Sequence, residues 1–250
     1  MPIEPHPDLF VPQGDYQIVK YLDLTKFISL LQRKALFFCR LDKLEDRFEG
    51  TAPKANIPSR KEWYRRVPTR DYTEDEIDAE VREYIEFEKK LKSLHCINCW
   101  NRNDSESAAL WKIYSGLNNG IMIMSSVQKL DKSLKAASQT IYCSEIKYHY
   151  YDQEPIPEGN TFYPIIHKQK AYNYEEELRL IHMVSQQGWV HDWSKEEVEE
   201  GVYIQANLDE LITEIVISPH APNWFFKMVE GLTEVYGLDK PVRKSSLTPP

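Results

Sequence analysis

The segment from 170 to 184, KAYNYEEELRLIHMV, decides the fold because charged and apolar side chains alternate along it. Successive side chains of a strand point to opposite faces of a sheet. Glu175, Glu177 and Arg179 would therefore project together, and the other face would be apolar. The pattern predicts a strand over Glu175–Val184 with one side in a core and one side carrying a charged row.

Two interpretations of the charged row are open. It can be an ion pair on an exposed edge strand, where such pairs contribute little to stability. Alternatively, it lines a cleft, with Glu177, Arg179 and Glu175 as candidate catalytic residues and Lys170 as a candidate ligand-binding residue. Three charged side chains on one face of an otherwise apolar strand favour the second interpretation.

Apolar runs and helical repeats predict the other elements. The predicted strands are Gln17–Leu22, Ala35–Arg40, His95–Asn101, Gly120–Ser125, Thr140–Tyr150, Val202–Leu208 and Glu214–Ser218, the last two as partners of Glu175–Val184. Helices are predicted after Asp23, Thr73, Asp104, Ser125 and Ala221. About seven or eight strands with five helices indicate an α+β single domain, a mixed sheet packed with helices.

A charged segment, Asn56–Leu94, interrupts this pattern. Thr73 and Glu76 have the spacing of a capping box, acidic residues crowd the first turns that follow, and lysines close the helix, as the helix dipole prefers. We expect 56–94 to be a charged helical insertion within the single domain 1–250, with a solvated face.

Net charge and hydropathy make two classes of partner, nucleic acid and membrane, less favourable. The net charge of the 250 residues is −8, which repels polyphosphates and makes nucleic acid a disfavoured partner. The longest apolar runs are far shorter than the ~20 residues that cross a bilayer, so no membrane partner is expected. Residues 1–12 lack the basic and apolar stretches of a secretory signal, and we expect a cytoplasmic protein.

The four cysteines lie in apolar segments and are expected to be reduced core residues. Cys96 and Cys99 have a zinc-like spacing, but a second pair is missing and their odd separation puts them on opposite faces of a strand. The acidic stretch from Asp42 to Glu49 has oxygens for a divalent cation, although turn and cap chemistry is its more ordinary explanation. We expect no metal site.

A second cluster lies where a predicted strand runs through a polar turn into a helix. It contains the candidate ligand-binding residues Trp100, Arg102, Trp111 and Tyr114. Aromatic rings beside an arginine can stack on a planar ligand such as a nucleobase or nicotinamide. The alternative is that Trp111 and Tyr114 belong to the helix core and that Arg102 is an ordinary surface residue.

Along nearly its whole length the chain resembles the uncharacterised bacterial family called domain of unknown function 2971. The matching stretches are Leu36-Phe37-Phe38, Asp46-Arg47-Phe48-Glu49, Cys99-Trp100, Leu110-Trp111-Lys112-Ile113-Tyr114 with Gly120, Lys170, Tyr174-Glu175-Glu176-Glu177-Leu178-Arg179-Leu180, Leu211-Ile212-Thr213-Glu214-Ile215-Val216-Ile217 with Pro219, and Ser245. The chain departs from the family at Glu45-Asp46-Arg47, where Asn-Asp is usual. The resemblance implies a bacterial cytosolic protein and no particular activity.

A looser resemblance is to ADP-ribosyltransferase-like folds. These begin with strand, helix and strand, and carry a Glu-x-Glu or Gln-x-Glu pair at the head of a later strand. Glu175-Glu176-Glu177 is similar, so the resemblance implies NAD as ligand and Glu177 as the carboxylate that holds a ribose hydroxyl. The chain departs from that fold at Lys20-Tyr21, where His or Arg is usual.

Two functional hypotheses follow. In the first, the protein is an enzyme, an NAD-dependent transferase or another enzyme acting on a nucleotide-like small molecule through Glu177, Arg179 and Arg102. In the second, it is a protein-interaction module without enzymatic activity, which presents an exposed row of ion pairs. The enzyme hypothesis requires one concavity lined by Trp100, Arg102, Trp111, Tyr114, Glu177 and Arg179.

Overall fold

The structure, a computed structural model, describes residues 3–46, 48–115, 118–184 and 198–248. Its strands are β1 (Gln17–Leu22), β2 (Ala35–Arg40), β3 (His95–Arg102), β4 (Ile121–Ser126), β5 (Tyr142–Glu145), β6 (Lys147–His149), β7 (His167–Gln169), β8 (Glu177–Met183), β9 (Gly201–Gln205), β10 (Glu214–Ile217) and β11 (Val242–Lys244). Its α-helices are α1 (Leu24–Arg33), α2 (Ile57–Arg66), α3 (Glu74–Leu91), α4 (Ala108–Leu110), α5 (Val127–Ser133), α6 (Tyr163–Ile166), α7 (Leu208–Leu211) and α8 (Asn223–Val235).

Nine of the strands within the described ranges form one sheet, which branches at β3. Along one edge β3 pairs with β8, and β8 pairs in turn with β5. Two strands share the other edge of β3. β2 pairs with β3 near Cys96 and Ile97, and β1 pairs with it near Asn101 and Arg102. From β1 the sheet continues through β4 and β10 to β11, and from β2 it ends at β9.

The sheet is mixed, as the sequence predicts. β10 and β11 are parallel, and the other pairs of this sheet in the described chain are antiparallel. The α+β single domain expected from the sequence is confirmed. The described sheet has one strand more than the upper expectation. The predicted strand Thr140–Tyr150 is divided into β5 and β6, and β6 forms a separate pair with β7, which lies in no predicted element.

Alternation along β3 and β8 separates two apolar clusters. Trp100 from β3 and Leu178 and Leu180 from β8 lie in the larger cluster, which α1, α5, α7 and α8 cover. Ile97 and Ile181 lie in a second cluster on the opposite face. Glu177 and Arg179 share the face of Ile181, so the charged row and the apolar row lie on opposite sides of β8, as predicted.

Local chemistry sets the helix ends. The Asp23 side chain accepts a hydrogen bond from the backbone N–H of Lys26 and caps α1. Thr73 and Glu76 form the predicted capping box at the start of α3. Pro222 precedes α8, and Gly237 follows it with a φ of 68°, a left-handed conformation that glycine adopts without strain.

Helices α2 and α3 form the charged segment 56–94. Most of α3 is solvated, since only Ile77 and Val81 of its residues are buried. Arg60 of α2 is buried and forms a bidentate pair with Glu88 of α3, at 2.7 and 2.9 Å. A further hydrogen bond of 2.5 Å to Glu158 ties the helix pair to the segment before α6.

The predicted partners of β8 are wrong. Val202–Leu208 and Glu214–Ser218 correspond to β9 and β10, which pair with β2 and with β4 and β11. The partners of β8 are β3 and β5. Apolar strands have similar sequence patterns. The pattern of one strand, and its distance along the chain from the others, therefore do not determine which strand pairs with it.

The side chains of Cys96 and Cys99 lie on opposite faces of the sheet. Cys96 lies in the larger apolar cluster and Cys99 packs against the opposite one, as their odd separation predicts. All four cysteines are free. In the described ranges, no helix is long and apolar enough to cross a bilayer.

Gly201 starts β9 at a point of close backbone approach. Its φ is 152°, and a Cβ there would collide with the carbonyl of Phe38 and lie 2.9 Å from the Phe37 ring. Gly201→Ala should therefore lower the free energy of unfolding by about 2–4 kcal/mol. Urea denaturation measures this change.

Gly231 in α8 supplies the matched control, because an added Cβ there would have no heavy atom within 4 Å. Gly231→Ala should stabilise the protein by about 0.5–1 kcal/mol, the usual helical difference between the two residues. Equal effects of the two substitutions would contradict the close approach of β9 to β2.

Candidate functional site

The charged row lies on a central strand. β8 is held on both edges, with Arg179 opposite Cys99 of β3 and Ser144 of β5. Glu177 is 4% exposed and Arg179 is 1% exposed. The interpretation as an exposed edge-strand ion pair is therefore wrong.

The strand begins two residues later than predicted. Glu175 ends a 3-10 helix that spans Lys170–Glu175, and Glu176 follows with a φ of 41°, a left-handed conformation. The Asn101 side chain donates to the Glu175 carbonyl at 2.9 Å, and the Arg102 N–H donates to the Glu176 carbonyl at 2.8 Å. This bend stops the ladder at Glu177.

Arg179 and Glu177 form a two-pronged ion pair. Nε of Arg179 lies 2.6 Å from Oε1 of Glu177, and Nη2 lies 2.8 Å from Oε2. The remaining guanidinium nitrogen, Nη1, lies 2.8 Å from Oε1 of Glu49 and donates to the carbonyl of Ile165 at 2.6 Å. Paired hydrogen bonds of this kind fix geometry as well as charge.

Lys168, from β7, joins three carboxylates. Its Nζ lies 2.7 Å from Glu175, 3.2 Å from Glu49 and 3.3 Å from Glu177. The hydroxyl of Tyr114 donates to the other oxygen of Glu175 at 2.6 Å. We call Glu49, Lys168, Glu175, Glu177 and Arg179 the charged network, and all five are buried.

The network displaces the pKa values of its two neighbouring glutamates in opposite directions. Burial opposes the charge of Glu177, but Arg179 and Lys168 outweigh it and hold the pKa of Glu177 well below the usual range. Burial raises the pKa of Glu175 above its usual value, even though Lys168 and Tyr114 act against it. Glu177 is therefore the fixed anion of the pair.

A cavity of about 170 Å³ opens beside Glu177. It is lined by Tyr16, Arg102, Glu145, Ile146, Tyr148, Glu176 and Glu177. The Tyr148 hydroxyl accepts the backbone N–H of Glu177 at 2.9 Å. The wall thus combines two tyrosines, a cation and the residue that carries the fixed carboxylate.

Arg102 is the exposed cation of this cavity. Its guanidinium stacks 4.4 Å from the ring centroid of Tyr16, and 50% of its side chain is exposed. The nearest carboxylate oxygen, on Glu145, is 3.9 Å away and already accepts a hydrogen bond from Tyr16 at 2.7 Å. Arg102 is therefore placed to bind an anion from solvent.

The structure does not bring all the predicted residues into one concavity. Trp100 and Trp111 are fully buried in different clusters, Trp100 with Ile18 and Ile123 and Trp111 with Val19 and Met122. Neighbours on β1 and β4 face opposite sides, so the sheet lies between the two indoles. The expectation of one shared concavity is wrong for these tryptophans, whose rings fill the core.

Tyr114 and Lys170 also lie outside the cavity wall. Tyr114 reaches the charged network through its hydroxyl, from a single π-helical turn at 111–115. Lys170 is exposed at the start of the 3-10 helix. Its neighbour Lys168 is the lysine that points into the network.

Sequence reasoning missed Lys168, Tyr16 and Tyr148 as site residues. Nothing in the segment around Lys168 marks it as buried. Glu49 had a signal, because it belongs to the acidic stretch considered for a cation, but in the structure it binds Arg179 and Lys168. In the described ranges, no group of three or more His, Cys, Asp or Glu residues is arranged to hold a metal ion.

Lys20 and Tyr21, where the chain departs from ADP-ribosyltransferase-like folds, are engaged inside the protein. Nζ of Lys20 donates to the Cys99 carbonyl at 2.6 Å. Burial lowers the pKa of Lys20, and the negative charge of Glu177 acts in the opposite direction. The Tyr21 ring packs edge-on against Trp111 at 4.9 Å.

Neither protein-family models nor the sequences of curated proteins give a match to this chain. The resemblance to the domain of unknown function 2971 family therefore rests on the residues quoted above alone. Arg47 of that pattern lies outside the described residues.

Among solved structures, DarT from Thermus sp. 2.9 shows a distant likeness. Its complex with carba-NAD+ has a TM-score of 0.38 at 9% identity, over 95% of this chain and 98% of that chain. Its complex with NAD+ has a TM-score of 0.37 at 11% identity, over 91% and 94%. Its complex with ADP-ribosylated ssDNA has a TM-score of 0.36 at 11% identity, over 92% and 94%. Scores and identities this low assign no activity to this chain.

Glu177→Gln and Glu175→Gln should differ in their effect on stability. Removing the charge of Glu177 leaves Arg179 with one buried carboxylate, Glu49, and should lower the free energy of unfolding by about 3–5 kcal/mol. Glu175→Gln should change it by less than about 1 kcal/mol, because burial already opposes the charge that is removed and an amide can still hydrogen-bond Tyr114. Urea denaturation at pH 7 distinguishes them, and equal costs would contradict the network.

The stability gained from Glu177 should depend on pH in a defined direction. Because the folded-state pKa is lowered, the stabilisation is fully present above the unfolded value near ~4.3 and is lost as pH falls towards the folded value. The difference in unfolding free energy between wild type and Glu177→Gln should stay constant above pH ~5 and shrink below it.

Glu175 should show the opposite sign. Its folded-state pKa is raised, so the folded protein takes up the proton first and wild type should gain stability relative to Glu175→Gln as pH falls. Denaturation curves between about pH 3.5 and pH 7 test both trends. A common trend for the two variants would show that the two carboxyls are not differentiated.

Proposed function

We propose that this protein is an NAD-dependent enzyme of the ADP-ribosyltransferase type, which uses Glu177 at the ribose of its nucleotide substrate. The observation that carries the proposal is the ionised, buried carboxylate of Glu177, a residue that lines a cavity together with Arg102 and two tyrosines. A carboxyl buried to this degree without cationic partners would instead have a raised pKa.

A fixed carboxylate suits the chemistry of glycosidic cleavage. When the bond between the ribose and the nicotinamide nitrogen breaks, nicotinamide leaves with the electron pair and positive charge develops on the sugar. A preorganised negative charge in a dry site stabilises that charge without reorganisation. Arg179 and Lys168 keep the Glu177 carboxylate ionised and oriented.

A substrate hydroxyl would have to take the place of one of the donors that now contact the carboxylate. A carboxylate has about four acceptor positions. The two cationic partners occupy three of those of Glu177, and the Cys99 thiol also hydrogen-bonds this side chain. A thiol is a weak donor, so a ribose hydroxyl that replaces it would make the stronger bond.

Arg102 and the tyrosines would hold the rest of the substrate. An exposed guanidinium binds phosphate by paired hydrogen bonds. Tyr16 and Tyr148 offer ring surface to a planar group. The cavity is smaller than the ~300 Å³ of a typical ligand pocket, so it has room for the ribose or for one ring, and the remainder of a dinucleotide would lie across the surface beside Arg102.

The interaction-module hypothesis loses the feature on which it depended. It required the row of Glu177 and Arg179 on the surface, and both are buried. The enzyme hypothesis is the one that gives the buried row a chemical role.

Binding and turnover of NAD+ test the proposal with a matched pair of arginines. Arg102 stacks on Tyr16 at 4.4 Å and Arg33 stacks on Tyr203 at 4.2 Å, on a part of the chain remote from Glu177 in the sheet order. Arg102→Ala should weaken NAD+ binding about tenfold with an unchanged melting temperature, and Arg33→Ala should leave binding unchanged. Isothermal titration calorimetry measures NAD+ binding to both variants, and thermal denaturation gives the melting temperature of Arg102→Ala.

The reaction itself is followed by release of nicotinamide. Glu177→Gln, assayed well below its melting temperature, should lower the rate about 100-fold or more, because it removes the charge that stabilises the developing cation. Circular dichroism on the same sample controls for folding. Absence of NAD+ binding to wild type at millimolar concentration, or an unchanged rate in folded Glu177→Gln, would refute the proposal.

A further inference from the structure

A second cavity lies at the other end of β3, between α3 and the segment 159–165. Its volume is about 170 Å³. The wall is largely apolar and aromatic, and includes Leu41, Tyr84, Phe87, Leu91, His95 and Ile165. None of its lining residues belongs to the cavity beside Glu177.

His95 is the polar group of this wall with an unmet hydrogen bond. It is 1% exposed, and its Nδ1 lies 2.9 Å from the carbonyl of Leu91. A carbonyl only accepts, so Nδ1 carries the hydrogen and Nε2 of the neutral ring is an acceptor. Nε2 is buried and has no hydrogen-bond partner among the described residues.

The imidazole is neutral under ordinary conditions. Burial lowers the pKa of His95 to about 4, although the hydrogen bond to Leu91 acts in the opposite direction. A buried acceptor without a partner costs free energy, and a donor that reaches it is shielded from water and therefore strongly held. Nε2 of the neutral ring can therefore accept a hydrogen bond from a ligand, and it has no charge to attract an anion.

Two charged residues line the cavity, Glu88 and Lys92, and burial lowers the pKa of Lys92. Glu88 lines the cavity, but its carboxylate is paired to Arg60 through both oxygens, at 2.7 and 2.9 Å. The rings at the mouth are exposed, Tyr84 by 38% and Phe87 by 45%. A planar apolar ligand would cover them and remove that surface from water.

The volume sets the size of the ligand. An apolar cavity of about 150 Å³ in another protein takes up benzene. A cavity of about 170 Å³ has room for one aromatic ring with a small substituent. A nucleotide or a dipeptide is too large.

We propose that this cavity binds a small neutral aromatic molecule with a single hydroxyl or N–H donor, of the phenol or indole class, which donates to Nε2 of His95. The apolar wall selects the ring, and the imidazole selects the donor. The site is independent of Glu177 and of the proposed transferase activity.

Phenol and toluene are a matched pair of probes, because they differ by a hydroxyl in place of a methyl group. Wild type should bind phenol roughly tenfold more tightly than toluene, measured by ligand-observed NMR titration at pH 7. Equal affinities, or no binding of phenol at millimolar concentration, would overturn the proposal.

Two variants locate the site. His95→Phe keeps a ring but removes the acceptor, so the preference for phenol should disappear while toluene still binds. Thr161→Trp places a large side chain at an exposed position of the cavity lining and should abolish binding of both probes. Persistence of the phenol preference in His95→Phe, or of phenol binding in Thr161→Trp, would overturn the proposal, and the second variant decides the matter if the first does not fold.

Discussion

The paired hydrogen bonds between Arg179 and Glu177 are the constraint on which the rest of the site depends. Both residues lie on a strand that is paired on each edge, and both are buried. A guanidinium buried in this position requires partners for every donor, because an uncompensated charge in the interior costs several kcal/mol. Nη1 has the carboxylate of Glu49 and the carbonyl of Ile165 as partners, so the loop after β2 and the segment around α6 must close over β8.

This closure creates an uneven electrostatic environment. The network contains three carboxylates and two cations, and its partners are not shared equally. Glu177 has two hydrogen bonds from Arg179 and one from Lys168, whereas Glu175 relies on Lys168 and the neutral Tyr114 hydroxyl. Two acids separated by one residue therefore have pKa values displaced in opposite directions. Such separation is typical of sites where one carboxyl must stay charged.

The sequence predicts most of the elements and part of the site. Alternation along β8 correctly separates Leu178 and Leu180 from Glu177 and Arg179, because a period of two is a local property of the chain. Three features escape it. The left-handed Glu176 ends the strand early without a glycine to mark the bend. The partners of β8 and the approach of Lys168 depend on contacts between distant segments. The two tryptophans lie on opposite sides of the sheet because Trp111 follows a short helix that crosses the face opposite Trp100.

β3 explains why two separate cavities can coexist in a domain of this size. His95 at its first residue lines one cavity and Arg102 at its last residue lines the other. Seven residue steps in a strand separate them by about 23 Å. β3 is paired with β8 along one edge and with β1 and β2 along the other, so neither end is free to move without disturbing the ladder. The backbone at both ends of β3 is therefore ordered before a ligand enters. The strand with the most partners in the described sheet therefore presents a polar side chain to a cavity at each end, while Trp100 and Ile97 between them anchor it in the two cores.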